Sequence, residues 1–343
     1  MLFASDISAL DPSKKIHHYI HRSWQAIDGL PQNSANSIVQ TDDGYIWIAT
    51  QEGLTRFDGL NFTVFSRATH PEILSNDLRS LFKGPDGTLW IGTYSGGAVE
   101  FKNNIFTTYN KESGISENLI KTIYVDENNN VWLGTFKNGI NIISNRKISV
   151  FDSLSGLPDN SVRAITGKNG DIWAGTLNGL ALIRNFKVEK IFREDSGLRS
   201  SNISALFIDS KDTLWVGTKT GYLHFLEEGR FRSFKVPGLV GTDFVNVIFE
   251  DSDHNFWIGT EKGLHRFKNG SFETLTVESG LTYNAVRSIF EDSERNLWVG
   301  TSGGGINIFS DGVIMTYSTA DGLSSGDILP VLIDRNGDLW AGT

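Results

Sequence analysis

A tryptophan followed by an apolar residue, Gly or Ala, and Thr recurs eight times along the 343-residue chain. Successive copies are 43, 42, 41, 42, 42, 41 and 42 residues apart, at Trp47, Trp90, Trp132, Trp173, Trp215, Trp257, Trp298 and Trp340. A period near 42 residues over the whole length indicates a repeat architecture in which each repeat is one supersecondary unit. The repeat therefore constrains the fold before any single motif is interpreted.

The seventh repeat shows what one unit contains. Its four short segments, Val286–Phe290, Leu297–Gly300, Ile306–Phe309 and Val313–Tyr317, are rich in β-branched and aromatic residues and are separated by turn residues. This pattern is typical of antiparallel strands. Such units are apolar on both faces and must stack on one another, and radial stacking gives a β-propeller with the indole rings packed between blades. A linear β-solenoid would use much shorter coils.

The strand count leaves the number of blades open. The segment Lys15–Ser34 aligns with the fourth strand and following loop of a repeat, and seven complete repeats and two further strands come after it. An N-terminal strand that completes the last blade would close the ring and remove a free edge. We predict an all-β propeller of four-stranded antiparallel blades, seven-bladed with an eighth repeat begun, or alternatively eight-bladed and closed by the N-terminal strand. Residues 15–343 are expected to form this single domain, after a leader remnant or disordered N-terminus at residues 1–14.

Composition excludes several classes of function. The chain has 31 basic and 40 acidic residues, a net charge of −9, which argues against a nucleic-acid partner. Its apolar runs are too short to span a membrane, so no membrane contact is expected from this segment. The absence of cysteine excludes disulfides, thiolate metal sites and cysteine nucleophiles, and is compatible with the cytosol or a bacterial periplasm.

Two turn motifs need a structural or a ligand-binding interpretation. Three glycines follow the seventh Trp-Val-Gly-Thr, but a phosphate loop would need a Gly-Lys-Ser/Thr tripeptide after Gly305, so a tight turn is favoured. The first hairpin of five repeats opens on an aspartate, at Asp126, Asp209, Asp251, Asp292 and Asp334. Such residues accept hydrogen bonds from the backbone amides ahead of them in Asx turns, whereas a Ca²⁺ loop would need more ligands. We predict turns and no metal site.

The innermost strands supply the candidate ligand site. The loops between blades and the loops between second and third strands share one face of a propeller, around the mouth of its channel. The position two before the apolar residue of each inner strand holds Asn36, Arg79, Lys121, Arg163, Ser204, Asn246 and Arg287. Four basic residues in an acidic chain suit capture of a carboxylate or sulfate, although each arginine could instead pair with a neighbouring acid.

The adjoining loops would place further side chains on the rim of the mouth. These are Gln51, Tyr94, Phe136, Lys219 and Glu261, and the two aromatic residues could stack on sugar faces. The candidate ligand-binding residues are therefore Arg79, Lys121, Arg163, Arg287, Asn36, Asn246, Tyr94 and Phe136. No cofactor is expected.

The repeat consensus resembles the two-component regulator propeller repeat of bacterial sensors. The pattern stands nearly complete in Asp28–Gly59, "DGLPQNSANSIVQTDDGYIWIATQEGLTRFDG", and the resemblance runs from Ile16 to Thr343. It implies the periplasmic input region of a membrane sensor, often built as two seven-bladed rings in tandem and joined to a histidine kinase or diguanylate cyclase. On that resemblance the chain is expected to be a sensor fragment that binds a small molecule or glycan and pairs with a second copy.

Enzymatic interpretations are less favoured. His17 and His21 lie on one side of a strand, but no third ligand is near them in sequence, and no nucleophile or paired-carboxylate motif is evident. The chain also resembles streptogramin-lyase-like propellers, which act through a histidine and a metal at the channel mouth. The seven mouth positions contain no histidine, so we predict a non-catalytic segment. A propeller that serves as a protein-docking platform remains the alternative.

Overall fold

Seven four-stranded antiparallel sheets form the blades of a β-propeller. The computed structural model describes residues 10–11, 13–241, 243–311, 319, 323–327, 331–333 and 339–342. β1 (Ile20–Trp24) precedes blade 1, which comprises β2 (Ser37–Gln40), β3 (Ile46–Thr50), β4 (Gly53–Phe57) and β5 (Phe62–Phe65). Blade 2 comprises β6 (Leu78–Lys83), β7 (Leu89–Thr93), β8 (Ala98–Lys102) and β9 (Ile105–Tyr109). Blade 3 comprises β10 (Ile120–Val125), β11 (Val131–Thr135), β12 (Ile140–Ser144) and β13 (Lys147–Phe151).

The remaining blades repeat this order. Blade 4 comprises β14 (Val162–Lys168), β15 (Asp171–Thr176), β16 (Gly179–Arg184) and β17 (Lys187–Phe192). Blade 5 comprises β18 (Ile203–Ile208), β19 (Leu214–Thr218), β20 (Tyr222–Glu227) and β21 (Arg230–Lys235). Blade 6 comprises β22 (Val245–Glu250), β23 (Phe256–Thr260), β24 (Gly263–Lys268) and β25 (Ser271–Leu275). Blade 7 contains β26 (Val286–Glu291), β27 (Leu297–Thr301) and β28 (Ile306–Ser310), and β29 (Val331–Ile333) and β30 (Leu339–Ala341) pair with each other in a separate hairpin.

Helical structure is limited to short turns. Six 3₁₀ turns lie at Ile16–His18, Ala26–Asp28, Lys111–Ser113, Ser153–Ser155, Glu194–Ser196 and Val277–Ser279, and the described part of the chain contains no α-helix. Within that part, the search for a helix long and apolar enough to cross a membrane found none.

The N-terminal strand closes the ring. β1 pairs antiparallel with β28, with Ile20 opposite Ser310 and Trp24 opposite Ile306, so it occupies the outer position of blade 7. The predicted closure by the N-terminal strand is confirmed, and the ring has seven blades, so the eight-bladed alternative is wrong. The strand expected at Val313–Tyr317 lies outside the described residues. An edge strand brought from the other end of the chain ties the first blade to the last.

The segment before β1 is packed onto the ring. Leu10 and Ile16 are 1% and 2% exposed within the apolar layer of blades 6 and 7. The guanidinium group of Arg266, in blade 6, donates to the hydroxyl oxygen of Tyr19 at 2.7 Å and to the backbone carbonyl of Lys14 at 2.6 Å. The packed chain therefore begins ahead of residue 15, where the sequence placed the start of the domain.

The repeated tryptophans fill the layers between blades, as predicted. Trp47 of blade 1 is 1% exposed and packs against Leu78, Leu89 and Ile91 of blade 2. In four blades the indole nitrogen also donates to the aspartate that opens the first hairpin. These pairs are Trp132 with Asp126 at 3.0 Å, Trp215 with Asp209 at 2.8 Å, Trp257 with Asp251 at 2.7 Å and Trp298 with Asp292 at 2.6 Å.

The same aspartates form the predicted Asx turns. Oδ1 of Asp209 accepts hydrogen bonds from the backbone amides of Lys211 at 2.9 Å and Thr213 at 2.8 Å. Each carboxylate therefore satisfies a turn with one oxygen and an indole with the other, which leaves it no role as a metal ligand. Asp334 lies outside the described residues.

The glycine cluster of blade 7 is a turn. Gly305 has φ of +74°, and a Cβ atom there would lie 2.1 Å from the carbonyl oxygen of Trp24 in β1. Only glycine combines this left-handed conformation with so close an approach of the closing strand. The cluster thus serves ring closure.

Candidate functional site

Seven equivalent residues surround one mouth of the central channel. They are Asn36, Arg79, Lys121, Arg163, Ser204, Asn246 and Arg287, one from each blade, and all line a single cavity. We call this set the mouth ring. The sequence comparison had grouped the same seven positions, and the structure places them together.

A repeated backbone irregularity presents these side chains. In blades 2 to 7 the pairing of the first and second strands shifts register at the mouth residue, for example between Leu78 and Ser80 on either side of Arg79. A β-bulge inserts one unpaired residue and changes the direction of its side chain. Three consecutive residues of each inner strand consequently line the channel, where a regular strand would present alternate ones.

Two layers lie below the mouth ring. The recess layer consists of small residues, Ser37, Ser80, Thr122, Ala164, Ala205, Val247 and Ser288. The floor ring consists of larger aliphatic residues, Ile38, Leu81, Ile123, Ile165, Leu206, Ile248 and Ile289. Six floor residues are at most 8% exposed, and Leu206 is partly buried. The mouth is thus a polar cup above an apolar layer.

Two of the four basic residues are paired with acids. Arg79 bonds Asp77 at 2.6 Å, and its guanidinium lies 4.7 Å from the ring centroid of Tyr94. Arg287 bonds Glu261, from the rim loop of blade 6, at 3.0 Å. Burial raises the pKa of Asp77, and the charge of Arg79 opposes that shift. The alternative that arginines of the mouth pair with neighbouring acids therefore holds for these two.

The other two basic residues have no carboxylate partner among the described residues. The Nζ atom of Lys121 lies 4.8 Å from the ring centroid of Phe136, and the guanidinium of Arg163 lies 5.1 Å from that of Phe244. Burial lowers the pKa of Lys121, and the charges of Arg163 and Arg79 lower it further. Burial also lowers the pKa of Arg163, whose Nε atom is buried without a hydrogen-bond partner. Blades 3 and 4 thus hold an uncompensated pair of positive charges.

The uncharged mouth residues join neighbouring blades. The Nδ2 atom of Asn36 donates to the carbonyl of Leu78 at 2.7 Å, and that of Asn246 donates to the carbonyl of Val286 at 2.9 Å. The hydroxyl of Ser204 donates to the carbonyl of Val245 at 2.7 Å. These bonds have a structural role, and each leaves an amide or hydroxyl oxygen directed to the cup.

The rim contains the predicted loop residues and one that sequence reasoning missed. Gln51 and Tyr94 line a mouth cavity of about 330 Å³, and Tyr94 is 49% exposed. Phe244 was not predicted, because it lies in the irregular loop before β22. Its backbone pairs with Lys219 of blade 5 in an isolated bridge, which places its ring beside Arg163.

Histidines and metal ligands are absent from the mouth ring. His21 contacts the side-chain oxygen of Asn307 at 2.9 Å, and the ring centroids of His17 and His18 are 4.5 Å apart. No group of three or more metal-ligating side chains was found among the residues that the structure describes.

Six segments match the model of the two component regulator propeller repeat, at residues 29–52, 72–95, 114–137, 197–220, 238–262 and 280–303. Each begins at an inter-blade turn and ends in the loop after the tryptophan strand, so the six together contain all mouth-ring positions except Arg163. Histidine kinase P4 of Formosa agariphila is 38% identical over 48 residues, which are 14% of this chain and 4% of the kinase.

Solved structures share the fold. The extracellular domain of the hybrid two component system BT3049 from B. thetaiotaomicron superposes with a TM-score of 0.75 at 22% identity, over 95% of this chain and 52% of that one. The chain therefore spans about half the length of that structure. Virginiamycin B lyase from Staphylococcus aureus superposes with a TM-score of 0.67 at 16% identity, over 85% of this chain and 99% of the lyase.

The six matching segments recur at the same structural position in successive blades, each carrying the inner strand and the tryptophan strand. The repeat recognised in the sequence is therefore the unit from which the seven-bladed ring is built. This chain belongs to the two component regulator propeller family.

Proposed function

We propose that this propeller is the ligand-sensing input domain of a bacterial two-component signalling protein, located outside the cytoplasm, and that its mouth binds an anionic oligosaccharide. The proposal rests on one observation, the positive charges of Lys121 and Arg163 in the cup without a carboxylate partner among the described residues. Partly buried cations without counter-ions are costly, and an anionic group between them would recover part of that cost.

The expected strength of binding follows from the contacts available. Hydrogen bonds to charged groups contribute about 1.5–3 kcal/mol each, offset by desolvation and by the cost of association. Two such contacts and stacking of a sugar face on Tyr94, which is half exposed, are consistent with micromolar affinity. Because the cup opens to solvent, its affinity should fall as ionic strength rises.

The family and the neighbours support a sensing role over catalysis. The lyase has the same fold, but at 16% identity that likeness carries no chemistry. The mouth ring offers cations, amides and one hydroxyl, and no nucleophile activated by a base. Signal output would come from domains beyond this segment, and a ligand-dependent change in how two copies pair is the simplest means of transmission.

The test is calorimetric titration of acidic and neutral oligosaccharides against matched variants. Lys121→Gln and Arg163→Gln should each weaken binding of acidic sugars by about tenfold, the loss of one charge-assisted bond. Lys137→Gln is the control, because Lys137 is exposed and lies 5.6 Å from the same Phe136 ring without facing the cup.

Arg287→Gln should have a smaller effect than Arg163→Gln, since Glu261 already compensates the charge of Arg287. Equal binding of neutral and acidic sugars would refute the charge-based site. Binding of a protein partner that Lys121→Gln leaves intact would favour a docking platform instead.

A further inference from the structure

The channel does not continue beyond the floor ring. The cavity that contains the mouth ring and the recess layer has no lining residue below the floor ring. On the other side a separate cavity of about 540 Å³ opens to the opposite face and is lined by Val39, Phe82 and Phe290. A closely packed layer of aliphatic side chains separates the two cavities. The cup therefore has one opening.

The two uncompensated cations lie in the wall of this cup. Lys121 and Arg163 are half-buried, and each is the residue immediately above the recess layer on its strand. An anionic group that reaches both must enter the cup, because long-range attraction from above the rim is screened by water and salt. A carboxylate on a sugar inside a long chain carries substituents on both sides, and these would meet the rim before the group could enter.

The size of the cup sets a similar limit. Its volume of about 330 Å³ is at the small end of the ~300–1,000 Å³ typical of small-molecule sites. The recess below is bounded by small side chains such as Ser80, whose hydroxyl is buried without a hydrogen-bond partner, and Ala164. A compact group with hydroxyls fits this space, and a folded or branched polymer segment does not.

Building on the proposed function, we infer that the mouth recognises the acidic terminal residue of an oligosaccharide, inserted end-on, and does not bind internal acidic residues. The terminal carboxylate or sulfate contacts Lys121 and Arg163, the terminal hydroxyls face the recess layer, and the following sugar leaves across the rim near Tyr94. Chain ends, and not chain mass, are then the signal. Such ends multiply when a polymer is cleaved, so the sensor would respond to degradation of its polysaccharide.

The first experiment compares chain lengths. Defined short and long preparations of two acidic glycans, oligogalacturonates and chondroitin sulfate, are titrated into the protein by calorimetry. End recognition predicts that affinity expressed per chain is constant, so that affinity expressed per acidic residue falls about tenfold for a tenfold longer chain. Affinity per chain that rises with length would overturn the inference and leave the proposed function in place. Absence of binding by either glycan at any length would overturn both.

The second experiment fills the cup without changing its charge. Ala164→Leu places a larger side chain in the recess layer and should weaken binding of the short acidic glycan by at least tenfold. Thr166→Leu is the matched control, two residues further along the same strand and beyond the floor ring, and should bind as the wild type does. Wild-type affinity in folded Ala164→Leu would show that nothing enters the cup and would overturn the inference.

Discussion

Replacing His224 by glutamine should make the domain less sensitive to acid. His224 is fully buried in blade 5, and its Nε2 atom accepts a hydrogen bond from the backbone amide of Arg199 at 3.0 Å. A backbone amide can only donate, so Nε2 carries no proton, and Nδ1 donates to the carbonyl of Val216 at 3.2 Å. The imidazole is therefore neutral. Protonation would set two donors against each other in a space without water.

The magnitude follows from linkage. Burial lowers the pKa of His224 from 6.5 to about 4. Because the folded-state value is the lower one, the stability contributed by neutral His224 is fully present above pH 6.5 and is lost as the pH falls through 4. A difference of this size corresponds to about 3 kcal/mol when complete, and to about 2 kcal/mol between pH 7 and pH 4.5. That is a large share of the ~5–15 kcal/mol that stabilises an ordinary domain.

Urea unfolding between pH 7 and pH 4.5 measures the effect. In His224→Gln the amide group can donate to Val216 and its oxygen can accept from Arg199, so the packing is retained while the titrating group is removed. The free energy of unfolding of the variant should fall by about 2 kcal/mol less than that of the wild type over this range. Carboxylates that titrate in the same range cancel in the difference.

His254→Gln is the control, since His254 lies on the surface and its removal tests the loss of an imidazole alone. His265 is also fully buried, and burial lowers its pKa to about 4, so His265→Gln should reduce acid sensitivity in the same direction. Parallel stability curves for the wild type and His224→Gln would refute the reasoning.

Three further predictions concern stability. Lys121→Met should raise the midpoint of thermal unfolding, because it removes a half-buried cation that lies between two others; a lower midpoint in scanning calorimetry would contradict this. Asp209→Asn places an amide donor against the indole of its blade and should cost about 1–3 kcal/mol in urea unfolding, whereas Asp212→Asn, exposed on the same turn, should change stability by under about 0.5 kcal/mol; equal losses would show that the buried bonds do not matter. Ile16→Ala should cost about 2–5 kcal/mol because the side chain is 2% exposed at the ring closure, while Ile20→Ala, 42% exposed, should cost little; similar unfolding midpoints for the two would refute the role of the N-terminal segment.

Much of the fold could be read from the tryptophan period. A unit of about 42 residues with four apolar segments cannot bury both faces alone, so stacking of copies follows from the sequence. The strand that begins at Ile20 could also be assigned as an outer strand. Its partner could not, because seven or eight blades satisfy the same local pattern, and only the pairing of Ile20 with Ser310 selects seven.

The mouth ring was identifiable because equivalent positions of a repeat lie at equal radius. Its electrostatics were not. Arg79 and Arg163 are equivalent in sequence, yet Arg79 bonds Asp77 and Arg163 packs against Phe244, a residue of an irregular loop. Periodicity predicts where a side chain starts, and the contacts that neutralise or expose its charge come from non-repeating loops of other blades.

The sequence by itself determined the repeat, its strands, the turns at Asp209 and Gly305, and the set of residues around the channel. These depend on local backbone preference and on a periodic pattern of burial, both of which are written in short segments. The tertiary structure decided the closure at blade 7, the β-bulges that direct the mouth residues inward, and which cations remain uncompensated. Those features arise where segments far apart in sequence meet, and the energy of such a contact depends on both partners and on the water that they exclude.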